Sequence, residues 1–197
     1  MKPIIGIVSR YGKSNMGNDI DIIYSDIISS VIRSGGIPIG ISNNIDEYLN
    51  ICDGFILQGG DDVDDNNVLL LKKINEKNKP VLGICLGMQE MGVYSEGNIT
   101  NIDNHLGNKL HEIIINKNSL LYKIIGVEKM LVNSRHKSCI SNTKLNVSGI
   151  ANDGIIEAIE DNSKRFFLGV QWHPENMYDK DENARKIFDY FIKMCHH

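Results

Sequence analysis

The stretch Pro80-Val81-Leu82-Gly83-Ile84-Cys85-Leu86-Gly87-Met88-Gln89 decides the fold. Its apolar run predicts a buried parallel strand that ends on a small-x-Cys-x-Gly turn. Beyond it, Gln89-Glu90-Met91-Gly92-Val93-Tyr94 reads as the start of a helix. A residue at such a strand-to-helix turn is forced into a tight backbone conformation, and glycine at 83 and 87 leaves room that a Cβ would fill. The thiol of Cys85 then stands at the carboxyl end of the sheet, where open α/β proteins place their sites. The amino end of a helix beside it favours thiolate and oxyanion alike. Cys85 is therefore the candidate nucleophile. Cys52, Cys139 and Cys195 lack this setting and read as small hydrophobes.

Working outward, the first half alternates strand and helix. Strands are expected at 3–8, 37–41 and 54–57, ahead of the nucleophile strand. Between them, apolar residues at helical spacing (Ile23, Ile27, Val31, with Ile28 and Ile32) predict a helix over 19–34 that Gly35-Gly36 ends, and residues 9–18 read as a polar loop. Short helices are expected over 46–50 and, rich in lysine, over about 68–78. This rhythm implies a mostly parallel sheet with helices on both faces. The second half changes rhythm. Short strands at 111–115, 130–132, 145–147, 154–159 and 166–170 predict an antiparallel extension, closed by a helix over about 182–194. With no linker or repeat, residues 1–197 read as one domain.

Bulk properties exclude several classes. The 197 residues are 42% hydrophobic and 23% charged, ordinary for a globular protein, and the net charge of −4 argues against a nucleic-acid surface. Four scattered cysteines without a Cys-x-x-Cys pair offer neither a zinc ribbon nor a disulfide framework. No apolar run reaches a membrane span, and Met1-Lys2-Pro3 leads straight into a strand, so the expected location is the cytoplasm. The acidic run Asp61-Asp62-Val63-Asp64-Asp65 lacks the glycine and distal glutamate of a calcium loop. His105 and His111 show no partners for zinc in the sequence. No metal or cofactor is expected.

A thiol nucleophile needs a base, and the base an orienting partner. Phe167 to Glu175 supplies both: a strand delivers His173, Pro174 is expected to hold the backbone extended, and Glu175 projects to the same side to accept from the imidazole. Gln58-Gly59-Gly60 follows a strand, and glycine there lets backbone N–H groups approach a ligand. The amides of Gly60 and Leu86 are the candidate oxyanion hole.

The order Gln-Gly-Gly, Gly-Ile-Cys-Leu-Gly-Met-Gln and Gln-Trp-His-Pro-Glu resembles the class I glutamine amidotransferases over the whole chain. That resemblance implies a flavodoxin-like sheet and a Cys-His-Glu triad of Cys85, His173 and Glu175 that attacks a γ-carboxamide through a γ-glutamyl thioester. Val132-Asn133-Ser134-Arg135-His136 and Asp153 to Glu160 look like the γ-glutamyl-γ-aminobutyrate hydrolase branch, in which an Asn-Ser-x-His segment lines the γ-glutamyl pocket. By that likeness Gly59, Gln89, Asn133, Ser134, Arg135 and His136 are the expected substrate-binding residues.

Three departures bear on the amine side of the substrate. The insertion expected before the nucleophile strand is short here, residues 64–79. Leu86 stands where those hydrolases often have Arg, and the second histidine of the Ser-x-His segment is missing. The resemblance implies a free-standing hydrolase of a small γ-glutamyl amide or γ-glutamyl phosphoramidate, with a homodimer as an open option. The alternative is a glutaminase subunit feeding ammonia to a synthetase partner. A scaffold that keeps the pocket without turnover is a third, disfavoured by the intact Cys, His and Glu.

Overall fold

The computed structural model describes residues 1–42, 45–107 and 109–196. The first half runs β1 (Ile4–Val8), β2 (Arg10–Lys13), β3 (Asp19–Ile22), α1 (Ser25–Arg33), β4 (Ile37–Ile41), α2 (Ile45–Ile51), β5 (Gly54–Leu57), α3 (Asp65–Glu76), β6 (Val81–Ile84) and α4 (Leu86–Tyr94). The second half runs β7 (Asn98–Asn101), β8 (Lys109–Ile115), α5 (Leu120–Ile125), β9 (Lys129–Ser134), β10 (Ser138–Asn142), β11 (Asn146–Ala151), β12 (Ile156–Glu160), β13 (Phe167–Val170), α6 (Pro174–Met177) and α7 (Glu182–Cys195).

Nine strands form one sheet in the order β4-β1-β5-β6-β13-β12-β11-β8-β9. The pairings from β4 to β13 are all parallel, and those from β13 to β9 all antiparallel. This is the expected mostly parallel α/β sheet with an antiparallel extension. The period-two rule sorts its side chains. Ile5, Ile7, Ile56, Leu82, Ile84, Leu168 and Val170 face one cluster with α1, α5 and α7, through Ile27, Leu121 and Phe188. Val8, Phe55, Leu57, Val81 and Phe167 face the other with α2, α3 and α4, through Leu49, Leu71 and Met91. Strands buried on both sides explain why the central runs are apolar without alternation. Among the described residues no helix is long and apolar enough to cross a membrane.

The structure corrects the reading of residues 9–34. The expected polar loop contains β2, which pairs antiparallel with β3 as a hairpin. Its turn is closed by the Ser14 N–H bond to the Asn18 carbonyl (2.9 Å), with Gly17 at φ +80. The helix begins only at Ser25, because Tyr24 keeps extended backbone (φ −72, ψ 127) and donates its N–H to Gln58 Oε1 at 3.0 Å. Ile20 and Ile22 therefore sit on a strand although their spacing joins the helical stripe. Two further strands, β7 and β10, pair in a small sheet of their own. Asn98–Asn101 is exposed throughout and carries no apolar signal.

The site rests on close packing around the β6–α4 turn. A Cβ on Gly87 would fall 2.1 Å from the Leu57 carbonyl oxygen of β5, and one on Gly83 would fall 2.8 Å from the Gly87 carbonyl carbon. Backbone cannot yield as a side-chain tip can, so α4 can dock against β5 and β6 only with glycine there. Gly87→Ala should cost about 3 kcal/mol of stability or prevent folding, measured by chemical denaturation. Wild-type stability in that variant would show that the docking has slack.

Candidate active site

Cys85 joins β6 to α4 at φ +54, ψ −106, a backbone region that residues with a Cβ rarely enter. Its N–H is held by the Val170 carbonyl of β13 at 2.8 Å, and its own carbonyl accepts from Gln89 N–H in the first turn of α4. The thiol thus projects at the carboxyl end of the sheet, over the start of a nine-residue helix. Gln171 Nε2 approaches its sulfur at 3.7 Å.

β13 lies next to β6 and delivers His173 to the same edge. His173 Nδ1 donates to Glu175 Oε1 at 2.7 Å, which leaves Nε2 as the nitrogen for the thiol. The expectation of an extended segment here is corrected: Pro174 opens the short helix α6, where its missing N–H costs nothing, and Glu175 reaches back from the first helical turn. Burial pulls the imidazolium down, but hydrogen bonds and charge from Cys85 and Glu175 outweigh it and raise His173 to about 9. Gly59 closes the arrangement from β5, since a Cβ there would lie 2.9 Å from His173 Cε1 and 3.6 Å from Cys85 Cβ.

Sequence reasoning missed the groups that hold this constellation. Arg10, read as loop, forms a two-pronged ion pair with Glu90 of α4 (2.5 and 3.0 Å), and Glu90 is fully buried. The same guanidinium donates to the carbonyls of Gln58 and, at 3.2 Å, Gly59. It ties the Gln-Gly-Gly loop to α4, the helix that follows Cys85. Asn67 Nδ2 completes Glu90 at 3.0 Å. Asn133 clamps the His173 peptide from both sides, Oδ1 accepting from its N–H at 2.8 Å and Nδ2 donating to its carbonyl at 3.1 Å. No local pattern signals contacts between residues 40 or 80 positions apart.

A cavity of about 190 Å³ opens onto Cys85, bordered by Gly60, Gln89, Arg135 and His136, with Asp61, Leu106, Lys137 and Ser138 at its margin. Gly60 and Leu86 adjoin, as a Cβ on Gly60 would lie 2.9 Å from Leu86 Cδ2. Among the described residues neither backbone N–H is engaged by the chain itself. Two expected pocket residues turn elsewhere. Asn133 spends its amide on His173, and Ser134 Oγ donates to the His105 carbonyl at 2.9 Å. Gln89 lines the cavity, but its Nε2 already reaches the Ser138 carbonyl at 2.8 Å and Gln171 Oε1 at 3.1 Å. The acidic run does structural work: Asp64 caps α3 through the Asn66 N–H at 2.9 Å.

Such an elbow on a mostly parallel sheet, facing a His-Glu pair, is what class I glutamine amidotransferase-like proteins share. The chain belongs to this group through the peptidase C26 family, whose model matches residues 64–175, ending on Glu175. Among relatives, glutamine amidotransferase-like protein YvdE of Lactococcus lactis is 29% identical over 204 aligned positions, covering 86% of this chain and 84% of that one. Gamma-glutamyl-gamma-aminobutyrate hydrolase PuuD of Escherichia coli is 25% identical over 240, covering 99% and 94%. In structure, the glutaminase domain of Trypanosoma brucei CTPS with bound acivicin superposes with a TM-score of 0.73 at 19% identity, covering 98% of this chain and 93% of that one.

Two outcomes follow. Replacing Cys85 with Ala removes the largest of the effects that raise His173, so its NMR titration should move down from about 9 toward the ordinary imidazole value. Because the folded value is the raised one, the stability it supplies is complete below about 6.5 and lost as pH rises through about 9. A midpoint unmoved by the substitution would break the link between the two groups. Separately, Arg10→Met strands the buried Glu90 carboxylate and should destabilise by about 3–5 kcal/mol in denaturant titration, whereas a surface pair would lose under 1.

Proposed function

We propose that this chain hydrolyses a γ-glutamyl amide, with Cys85, His173 and Glu175 as its catalytic residues. The observation that carries the reading is the strained Cys85 elbow meeting a His173 imidazole that Glu175 orients at 2.7 Å, at the floor of a cavity. Cys85 Sγ attacks the γ-carbonyl carbon and His173 holds the thiol proton. The carbonyl oxygen gains negative charge beside the Gly60 and Leu86 amides, which point donors at it without reorganisation. As the tetrahedral species collapses, the C–N bond breaks and His173 gives its proton to the departing amine. Water then enters, His173 takes one of its protons, and the thioester opens to free glutamate and the thiol. A raised His173 suits the donor half of this cycle, since the imidazole keeps the proton that the amine needs.

Arg135 and Lys137 stand exposed at the cavity mouth and suit a substrate that carries carboxylate or phosphate on either side of the scissile amide. The relative named as a γ-glutamyl-γ-aminobutyrate hydrolase, which this chain covers nearly end to end, supports a free-standing hydrolase. The isolated protein, given glutamine beside γ-glutamyl-γ-aminobutyrate and a γ-glutamyl phosphoramidate, should cleave one amide at least about tenfold faster than glutamine in kcat/KM. Cys85→Ala should remove about 10⁴-fold or more of that turnover. Feeble glutamine turnover alone would move the assignment to a glutaminase subunit lacking its synthetase.

A further inference from the structure

The structure assigns a second site, away from Cys85, to a divalent transition-metal ion held by His105, His111 and Glu157. Their ligand atoms all lie within 4.8 Å of one another. His105 Nδ1 and His111 Nε2 each stand 3.2 Å from Glu157 Oε1. Two donors about 2.0–2.1 Å from a tetrahedral zinc stand about 3.3 Å apart, so this spacing is the edge of such a coordination sphere. Among the described residues neither Glu157 oxygen and neither His111 nitrogen is hydrogen-bonded, although all four atoms are buried.

That is costly for Glu157, a fully buried carboxylate. The outer partners fix the inner atoms. His105 Nε2 donates to Asp153 Oδ2 at 2.9 Å, the carboxylate–histidine arrangement that orients metal ligands. His136 Nδ1 must donate to the Ser138 carbonyl at 3.0 Å, which turns the lone pair of its Nε2 onto His105 Nδ1 at 3.1 Å. With His136 Nε2 also 3.4 Å from Glu157 Oε1, lone pairs and a carboxylate converge on one point that favours positive charge. A proton on His105 would satisfy His136 and Asp153, but it leaves Glu157 and His111 unserved. An ion serves both. Imidazole with carboxylate suits zinc among the available cations, and a cavity of about 270 Å³ lined by both histidines and Asp153 gives it an entry.

The test uses the full chain carrying Cys85→Ser, so that no reactive thiolate competes for the ion. Zn²⁺ binding is read by competition with a chromophoric chelator, and Co²⁺ by its visible spectrum. One ion per chain with Kd below about 1 μM is expected, and a Co²⁺ spectrum without sulfur charge transfer. His111→Ala should weaken binding at least about 100-fold. Asp153→Asn, at a half-exposed position that folding tolerates, should weaken it about 10–100-fold. No saturable binding below 100 μM, a sulfur band, or an affinity unchanged in both variants would overturn the site; the last would place the ion elsewhere on the chain. Should His111→Ala misfold, Asp153→Asn alone decides.

Discussion

Everything at the candidate active site depends on a steric contact between backbones. The Leu57 carbonyl of β5 occupies the space where a side chain of residue 87 would start. With glycine at 83 and 87, α4 drops against the sheet and the chain must pass Cys85 at positive φ to make the turn. The strain is thus a product of close packing, maintained by the two-sided core of β5, β6 and β13. A looser turn would let Cys85 relax into the helix and lower its thiol away from His173.

Around this contact, charge is used where geometry alone leaves freedom. The Gln-Gly-Gly loop has no side chains at 59 and 60 with which to hold itself, so Arg10 reaches across from β2 to grip its carbonyls. Glu90, one turn into α4, neutralises that arginine in the interior. The loop and α4 are therefore referenced to one another through a single guanidinium. The His173 peptide is fixed in the same manner by the Asn133 amide. In each case a residue outside the Cys85 cavity determines where a group bordering the candidate site can be.

Much of this geometry was legible in the sequence, because the Cys85 turn, the Gly-Gly loop and the His-Pro-Glu segment are local patterns whose placement depends on spacing. The alternation of strands and helices was legible for the same reason. The hairpin over residues 10–22 was not: Ile20, Ile22, Ile23 and Ile27 satisfy both helical and strand spacing in part, and a distant glutamine side chain, Gln58, settles the matter at Tyr24. Arg10, Asn133 and the histidine cluster were hidden for a related reason. His105 and His111 are only six residues apart, but His136 and Glu157 lie far along the chain from them. The antiparallel ladder of β8, β9, β11 and β12 and the turns flanking it bring the four together.

The position of the cavity wall within the sheet has a consequence for how such a protein diversifies. Cys85 and His173 issue from β6 and β13, adjacent central strands with neighbours on both sides, whereas the Arg135–His136 wall follows β9, the edge strand of the sheet. An edge strand exchanges hydrogen bonds with one partner only and can be lengthened or re-angled without disturbing the middle of the ladder. Changes there can redraw the cavity margin while the Cys85 and His173 positions stay fixed, so relatives sharing this sheet would diverge at the wall of the cavity before they diverge at its floor.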